Sequence, residues 1–286
     1  MSLKHRILYT FLWIISWLPW FVWYRVSDFL TFLGFYVIRY RKQVVLHNLA
    51  IAFPEKTQKE RNKIAWNFYR LLMDTVVESI KLITLSKKGV MKKFTGDASI
   101  INHIMDKGKN LQVMAMHNFN WEVVNHNISM QLKYPFIGVY MPIANLFFEN
   151  MMRDIRTRYG TKLIRATKFR EEFPEYSNTH HILALVADQS PGDPNKAYWF
   201  PFFGKNTPFV TGPEKGARMN RTAVLFGHFY PIKRGHYTFR SKIVTEDASL
   251  LPEGELTRMY VEYIEESIRI APENYLWSHR RWKHAK

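Results

Sequence analysis

The stretch Leu111-Gln-Val-Met-Ala-Met-His117-Asn-Phe-Asn-Trp121-Glu122 runs from an apolar segment of strand length, through a histidine, into a helix-like segment with a glutamate in its first turn. With Asn120 as N-cap, its side chain takes a free backbone N–H, and Glu122 sits favourably at the positive helix end. On one continuous helix, side chains five residues apart diverge by roughly 140°. Across a strand-to-helix turn they can converge. The carboxylate then fixes the imidazole tautomer, and the other ring nitrogen is free for a substrate. That arrangement is a general-base dyad, with histidine suited to neutral pH. A histidine merely held by a structural carboxylate is the alternative, and the spacing alone does not separate the two.

At 286 residues the chain can bury one full core with an appendage, or two small ones. It carries 41 Lys and Arg against 24 Asp and Glu, a formal net charge of +17. This excess implies an anionic partner: nucleic acid, an acidic carrier protein or a membrane surface. Aromatic residues make up 16%, high for a soluble nucleic-acid protein, and Trp and Tyr favour the membrane–water interface. Without cysteine there is no disulfide scaffold, thiol nucleophile or thiolate metal site.

The first forty residues hold the apolar run Ile7–Trp23 and a second run, Phe29–Ile38. Lys4 and Arg6 precede them, Arg25 lies between, and Arg39, Arg41 and Lys42 follow. The first run is at the lower length limit for a spanning helix, and Pro19 interrupts it. Trp13, Trp17, Trp20, Trp23 and Tyr9 give it the character of the headgroup region. No small-residue cleavage site follows. Residues 1–42 therefore read as a membrane anchor that lies in, or dips into, the cytoplasmic leaflet. A buried core helix is the alternative.

Residues 43–90 read as a helical lead-in. Ala52-Phe-Pro54-Glu55 is a turn, and Thr57 with Glu60 three places on marks a helix start. Residues 91–286 form the main body. Strands are expected over 111–117, 136–140, 161–165, 182–187, 223–229 and 237–244, and helices over 121–132, 146–159, 168–173, 211–219 and 255–270. Their alternation predicts an α/β fold: a mostly parallel central sheet flanked by helices, behind an N-terminal hydrophobic membrane-associated helical segment. Ligands of such sheets sit beyond the carboxyl ends of the strands. His117, Arg165 and Asp188 each fall at such an end, and so are candidates for one crevice.

Asp188-Gln189 precedes a Pro-Gly turn, where Asp is also an ordinary turn residue. Arg153, Arg156, Arg158 and Arg165 offer phosphate or oxyanion contacts, or simply a solvated helix face. His180-His181 and the terminal histidines lack metal-ligand spacing, so no metal is expected. No phosphate-cradling glycine loop and no Gly-x-Ser-x-Gly elbow occurs. With no serine or cysteine nucleophile in such a setting, a His–Glu dyad best deprotonates a hydroxyl of the substrate itself. The expected chemistry is direct group transfer without a covalent intermediate and without a cofactor.

Several blocks carry a family resemblance. They are Arg39 through Asn48-Leu-Ala-Ile-Ala-Phe-Pro54-Glu55 with Glu60-Arg61, His117-Asn-Phe-Asn-Trp121-Glu122, Ala187-Asp188-Gln189, Pro201-Phe-Phe-Gly204 with Ala217-Arg218, and Ala271-Pro-Glu-Asn-Tyr275-Leu-Trp277-Ser-His279-Arg-Arg281-Trp-Lys283. In this order, over nearly the whole chain, the sequence resembles the late acyltransferases of lipid A biosynthesis, within the His-x4-Asp/Glu glycerolipid acyltransferase superfamily. The resemblance implies a bacterial inner-membrane enzyme, facing the cytoplasm, that moves an acyl chain from acyl carrier protein to a hydroxyl of a lipid acceptor. It implies His117 as base and Glu122 as its partner, with Arg158, Arg165, Asp188 and Asn118 near the acceptor or oxyanion. Two departures bear on the acceptor: Asn120 replaces the usual glycine, and Tyr140-Met141-Pro142 replaces a common Tyr-Arg-Pro. Lysophospholipid or aminolipid acylation, from acyl-coenzyme A or the carrier protein, is the nearest alternative. A non-catalytic basic protein binding membrane or nucleic acid is the further one. The expected partners are acyl carrier protein, anionic membrane lipids and the glycolipid acceptor, without nucleic acid. An acyl chain needs an apolar slot, for which Tyr198-Trp-Phe200 and Phe202-Phe203 are candidates beside an ordinary core role.

Overall fold

Pro19 lacks the N–H that a continuing helix needs, and the first apolar run breaks there. In the computed structural model, which describes residues 3–285, helix α1 (Leu3–Ser16) gives way at that break to helix α2 (Trp20–Phe32), and the helical stretch Trp20–Val37 stands at 114° to α1. A π-helical turn, Leu33–Val37, extends α2. Among the described residues no single helix is long and apolar enough to cross a membrane, although the bent pair passes by length and composition together.

Polar groups pin one side of this pair to the protein. Lys81 donates to the carbonyls of Ser16 and Leu18 at 2.6 and 2.7 Å, and Ser16 hydrogen-bonds Thr84. Ser27 donates to Asp74 at 2.5 Å and Tyr24 to Glu78 at 3.0 Å, while Arg234 bridges Asp28 and Asp74. The other side is open and apolar: Ile7, Phe11, Trp17, Phe21 and Phe29 are each 56–69% exposed. A core helix would bury these side chains.

Helix α3 (Lys42–Ala52) leads through the Pro54 turn to α4 (Gln58–Lys81). The capping box forms as read: Thr57 accepts from the Glu60 N–H, and the Glu60 carboxylate accepts from the Thr57 N–H at 2.7 Å. Short helices α5 (Lys87–Met91) and α6 (Ser99–Met105) complete the approach to the sheet.

The body then alternates: β1 (Leu111–Ala115), α7 (Trp121–Gln131), β2 (Phe136–Tyr140), α8 (Leu146–Thr157), β3 (Lys162–Arg165), α9 (Phe169–Glu172), α10 (Pro174–Ser177) and β4 (Ile182–Val186). A hairpin of β5 (Ala197–Phe202) and β6 (Lys205–Val210) follows. It is succeeded by α11 (Gly212–Met219), β7 (Ala223–Lys233), β8 (His236–Thr245) and α12 (Glu255–Ile270). The six-stranded sheet runs β3-β2-β4-β1-β7-β8, parallel except for β8. The fold is thus α/β with a mostly parallel central sheet flanked by helices.

The β5–β6 hairpin, like the helices α6 and α10, was not among the elements expected from sequence. Its two-residue turn has positive φ at both Phe203 (49°) and Gly204 (73°), the signature of a type I′ turn. Phenylalanine in place of the usual Asn or Asp hides that signal. The aromatic stretch proposed for an acyl slot is partly core: Phe202 is fully buried, stacks on Trp282 and meets Phe209 edge-on.

Chain path sets where a crevice is expected. Leu111 and Val113 face α6, α7 and α8, whereas Met114 faces the side where β5–β6, α11 and α12 pack. The chain leaves β1 toward α7 on the first side and leaves β4 toward the hairpin on the second. Adjacent parallel strands whose exits diverge in this way open a gap at their carboxyl ends.

Candidate active site

Pairing of β1 with β4 brings together two residues 71 apart in sequence. Asp188 Oδ1 lies 2.7 Å from His117 Nδ1 and also accepts from the His117 backbone N–H at 3.3 Å. Asp188 is buried, while the His117 side chain keeps 27% exposure. A carboxylate can only accept, so in the neutral ring Nδ1 carries the proton and Nε2 keeps its lone pair. Gln189 Nε2 stands 3.2 Å from that nitrogen. The Trp121 ring meets the imidazole edge-on, with centroids 6.3 Å apart.

The electrostatics follow from burial and charge. Burial pushes His117 toward neutrality, but the Asp188 charge and hydrogen bond outweigh it and raise its pKa above 6.5. Burial alone would raise the Asp188 pKa; the facing imidazole and two backbone N–H groups hold it below the ordinary carboxylate value. His279, whose titration feels both partners, is pushed down to about 4 by burial and stays neutral at physiological pH.

Glu122 lies elsewhere than the sequence reading expected. Asn120 does cap α7, accepting from the N–H groups of Glu122 and Val123. The Glu122 side chain, however, turns to α8: Arg156 donates to it from Nε at 3.0–3.1 Å and from Nη2 at 2.6 Å, and Trp121 Nε1 donates at 2.8 Å. The second helical position points across the α7–α8 contact rather than back over the turn. The hydrogen-bonded partner of His117 is therefore Asp188, and Glu122 braces Trp121 and joins two helices. Glu122→Gln leaves the four-fifths-buried Arg156 without its counter-charge, and an expected loss of about 3 kcal/mol follows. Thermal melting reads that loss, and the pH dependence set by His117 stays where it was.

The remaining expected residues divide by their commitments. Arg158 donates to the carbonyls of Leu82 and Ile83 at 2.8 and 3.0 Å, tying off the end of α4. Arg165 ends β3, two strands beyond β4, or roughly 10 Å across the sheet. It pairs there with Glu172. Neither guanidinium is free for an oxyanion beside His117. Asn118 is buried next to His117; its amide donates to the Asn274 carbonyl, and its Oδ1 has no partner among the described residues.

Asn274 went unnoticed as a single residue, although it sits in the C-terminal block. It accepts from the Phe119 N–H at 3.0 Å and donates to the Phe229 carbonyl at 2.6 Å, clamping the His117–Asn120 turn against β7. Asn48 holds the carbonyls of Trp277 and His279, and Ser190 donates to the Arg281 carbonyl. Arg281, fully buried, donates to the Pro208 carbonyl. Tyr260 fixes the end of β1 through the Ala115 carbonyl at 2.6 Å. Distant blocks of sequence thus converge to hold one imidazole. No group of three or more His, Asp or Glu side chains suited to a metal ion occurs among the described residues.

The strand ends of the α/β sheet thus carry a partly exposed histidine whose Nδ1 is held by a buried carboxylate. The chain matches the family model of bacterial lipid A biosynthesis acyltransferases over residues 4–284. It is 24% identical over 280 residues to the lipid A biosynthesis lauroyltransferase of Escherichia coli K12, covering 95% of this chain and 89% of that protein. To the palmitoleoyltransferase of the same organism, and to a lipid A biosynthesis acyltransferase of Shigella flexneri, it is 23% identical over 285 residues, covering 93% of this chain and 91% of each. The chain belongs to the bacterial lipid A biosynthesis acyltransferase family, and it is an acyltransferase.

Proposed function

We propose that the protein transfers a fatty acyl group from an acyl-carrier-protein thioester to a hydroxyl of a lipid A precursor, at the cytoplasmic surface of the inner membrane. The observation that carries this reading is the His117–Asp188 pair, with the imidazole partly exposed and Nδ1 held by the buried carboxylate. Nε2 takes the proton of the acceptor hydroxyl as its oxygen bonds to the thioester carbonyl carbon. The C–S bond then breaks, and the imidazolium returns the proton to the departing sulfur. Asp188 stabilises the imidazolium between these steps.

Charge and surface support the partners. Acyl carrier protein and phosphorylated glycolipids are acidic, matching the +17 charge. Exposed Lys4, Arg6, Arg25, Arg39 and Arg41 border the apolar face of α1 and α2, each contributing roughly 1 kcal/mol at an anionic bilayer. The bent pair suits immersion in one leaflet. Trp17→Glu combined with Phe21→Glu is expected to weaken binding to anionic vesicles at least about tenfold, read by sedimentation, without lowering the melting temperature.

The test is transfer by purified protein to an underacylated lipid A, with carrier-protein and coenzyme A thioesters in competition, read by mass spectrometry. Addition of one acyl chain, with the carrier-protein thioester preferred, supports the reading. Absence of transfer, or preferred acylation of a lysophospholipid from coenzyme A, overturns it.

A further inference from the structure

The mechanism above leaves Gln189 unused, although its side-chain nitrogen lies 3.2 Å from the one atom that must receive the proton. Because Asp188 fixes the proton of neutral His117 on Nδ1, Nε2 presents a lone pair, and only a donor can sit against it. The Gln189 amide N–H fills that role. It holds the place that the acceptor hydroxyl must occupy. Asp188 and Gln189 are consecutive, so the backbone that orients the base also fixes the start of the Gln189 side chain. Ser190, the next residue, is tied to the Arg281 carbonyl at 2.7 Å, which limits how far this segment can move. The remaining freedom is in the side-chain torsions of Gln189, which is half-buried. The arginines named from sequence have other partners: Arg153 bonds Asn150, Arg156 holds Glu122, Arg158 holds the end of α4 and Arg165 pairs with Glu172.

We propose that Gln189 is a catalytic residue: its amide caps His117 Nε2 in the empty enzyme, is displaced by the acceptor hydroxyl, and then donates its N–H to the thioester carbonyl oxygen. This inference rests on the acyltransferase reading. As the hydroxyl oxygen bonds to the carbonyl carbon, its proton passes to Nε2 and the carbonyl π electrons move onto oxygen. The Gln189 N–H stabilises that oxyanion. When the C=O re-forms, the C–S bond breaks and the proton leaves Nε2 for sulfur. A donor that turns from the base to the oxyanion needs no further group.

The test uses Gln189→Met, which keeps length and bulk without an N–H, beside Gln189→Ala and the wild type. Loss of an oxyanion donor costs about 10²–10³ in kcat, with KM expected within about threefold. A second readout needs no turnover. The cap stabilises neutral His117, so its removal raises the His117 pKa, followed by NMR titration of the labelled imidazole in the full-length protein. A fall in kcat of this size together with the raised pKa supports the role. Retained or increased kcat in Gln189→Met shows a cap only and overturns it, as does a rise in KM alone or an unmoved pKa. If the wild type itself transfers no acyl group, the functional reading has failed; the pKa comparison still decides whether Gln189 caps the base, and without that cap the proposal falls.

Discussion

Replacing His117 with alanine is expected to lower acyl transfer by about 10²–10⁴ at neutral pH while leaving the protein folded. The magnitude follows from removing the group that takes the hydroxyl proton, since an unassisted hydroxyl is a poor nucleophile toward a thioester. Folding should tolerate the change. The imidazole is 27% exposed, and Asp188 keeps the backbone N–H of residue 117 when the ring is gone, so the destabilisation leaves a folded protein. Single-turnover measurement separates the chemical step from product release, and the loss belongs in that step. Wild-type rates from His117→Ala would remove the imidazole from the mechanism.

The second large effect belongs to Asp188→Asn, and its sign follows from the electrostatics. In the wild type the His117 pKa lies above 6.5, so below it the ring is an imidazolium paired with Asp188 and accepts no proton. Transfer therefore rises with pH through that raised value. Asparagine removes the charge that opposes burial, and the ring pKa falls below 6.5, carrying the acid limb of the profile to lower pH. The rate on the plateau falls as well, by about 10²–10⁴, because an amide no longer fixes the proton on Nδ1 or stabilises the imidazolium. Stability follows the same linkage. Asp188, with its depressed pKa, contributes above an unfolded value near 3.9, and this is lost as pH falls through its folded pKa. His117, with its raised pKa, contributes below about 6.5, and this is lost as pH rises through its folded pKa. The melting difference between wild type and Asp188→Asn should thus be largest between about pH 4 and 6.5.

How much of this was legible in the sequence depends on whether the signal was local. Phe136–Tyr140 and Glu255–Ile270 are found with the bounds read from periodicity, and the Thr57–Glu60 capping box forms. Each rests on residues within one or two turns of one another. The placement of His117 at a strand end was equally local. Its partner was not. Asp188 became its neighbour only because β4, arriving after β2 and β3, inserts between β2 and β1. The reading that ligands gather at strand ends pointed to Asp188, but it could not rank Asp188 above a glutamate five residues from the histidine. The same topology removed Arg165, which the sequence allowed into the crevice and the strand order sends to the far edge. Glu122 was misdirected by a side-chain vector: spacing says which residues share a turn, not that Arg156 would arrive from another helix. The hairpin was hidden by Phe203, an improbable residue for a left-handed turn that its neighbours Phe53, Phe202 and Trp282 hold in place.

The role assigned to Asp188 can be observed without substrate. In protein labelled with nitrogen-15 on histidine, the His117 Nδ1–H bonded to a carboxylate should give a low-field proton signal, with Nε2 unprotonated once the pH is above the raised ring pKa. That signal should persist in Glu122→Gln and vanish in Asp188→Asn. Its survival in Asp188→Asn and loss in Glu122→Gln would return the imidazole to Glu122 and contradict the pairing on which the mechanism stands.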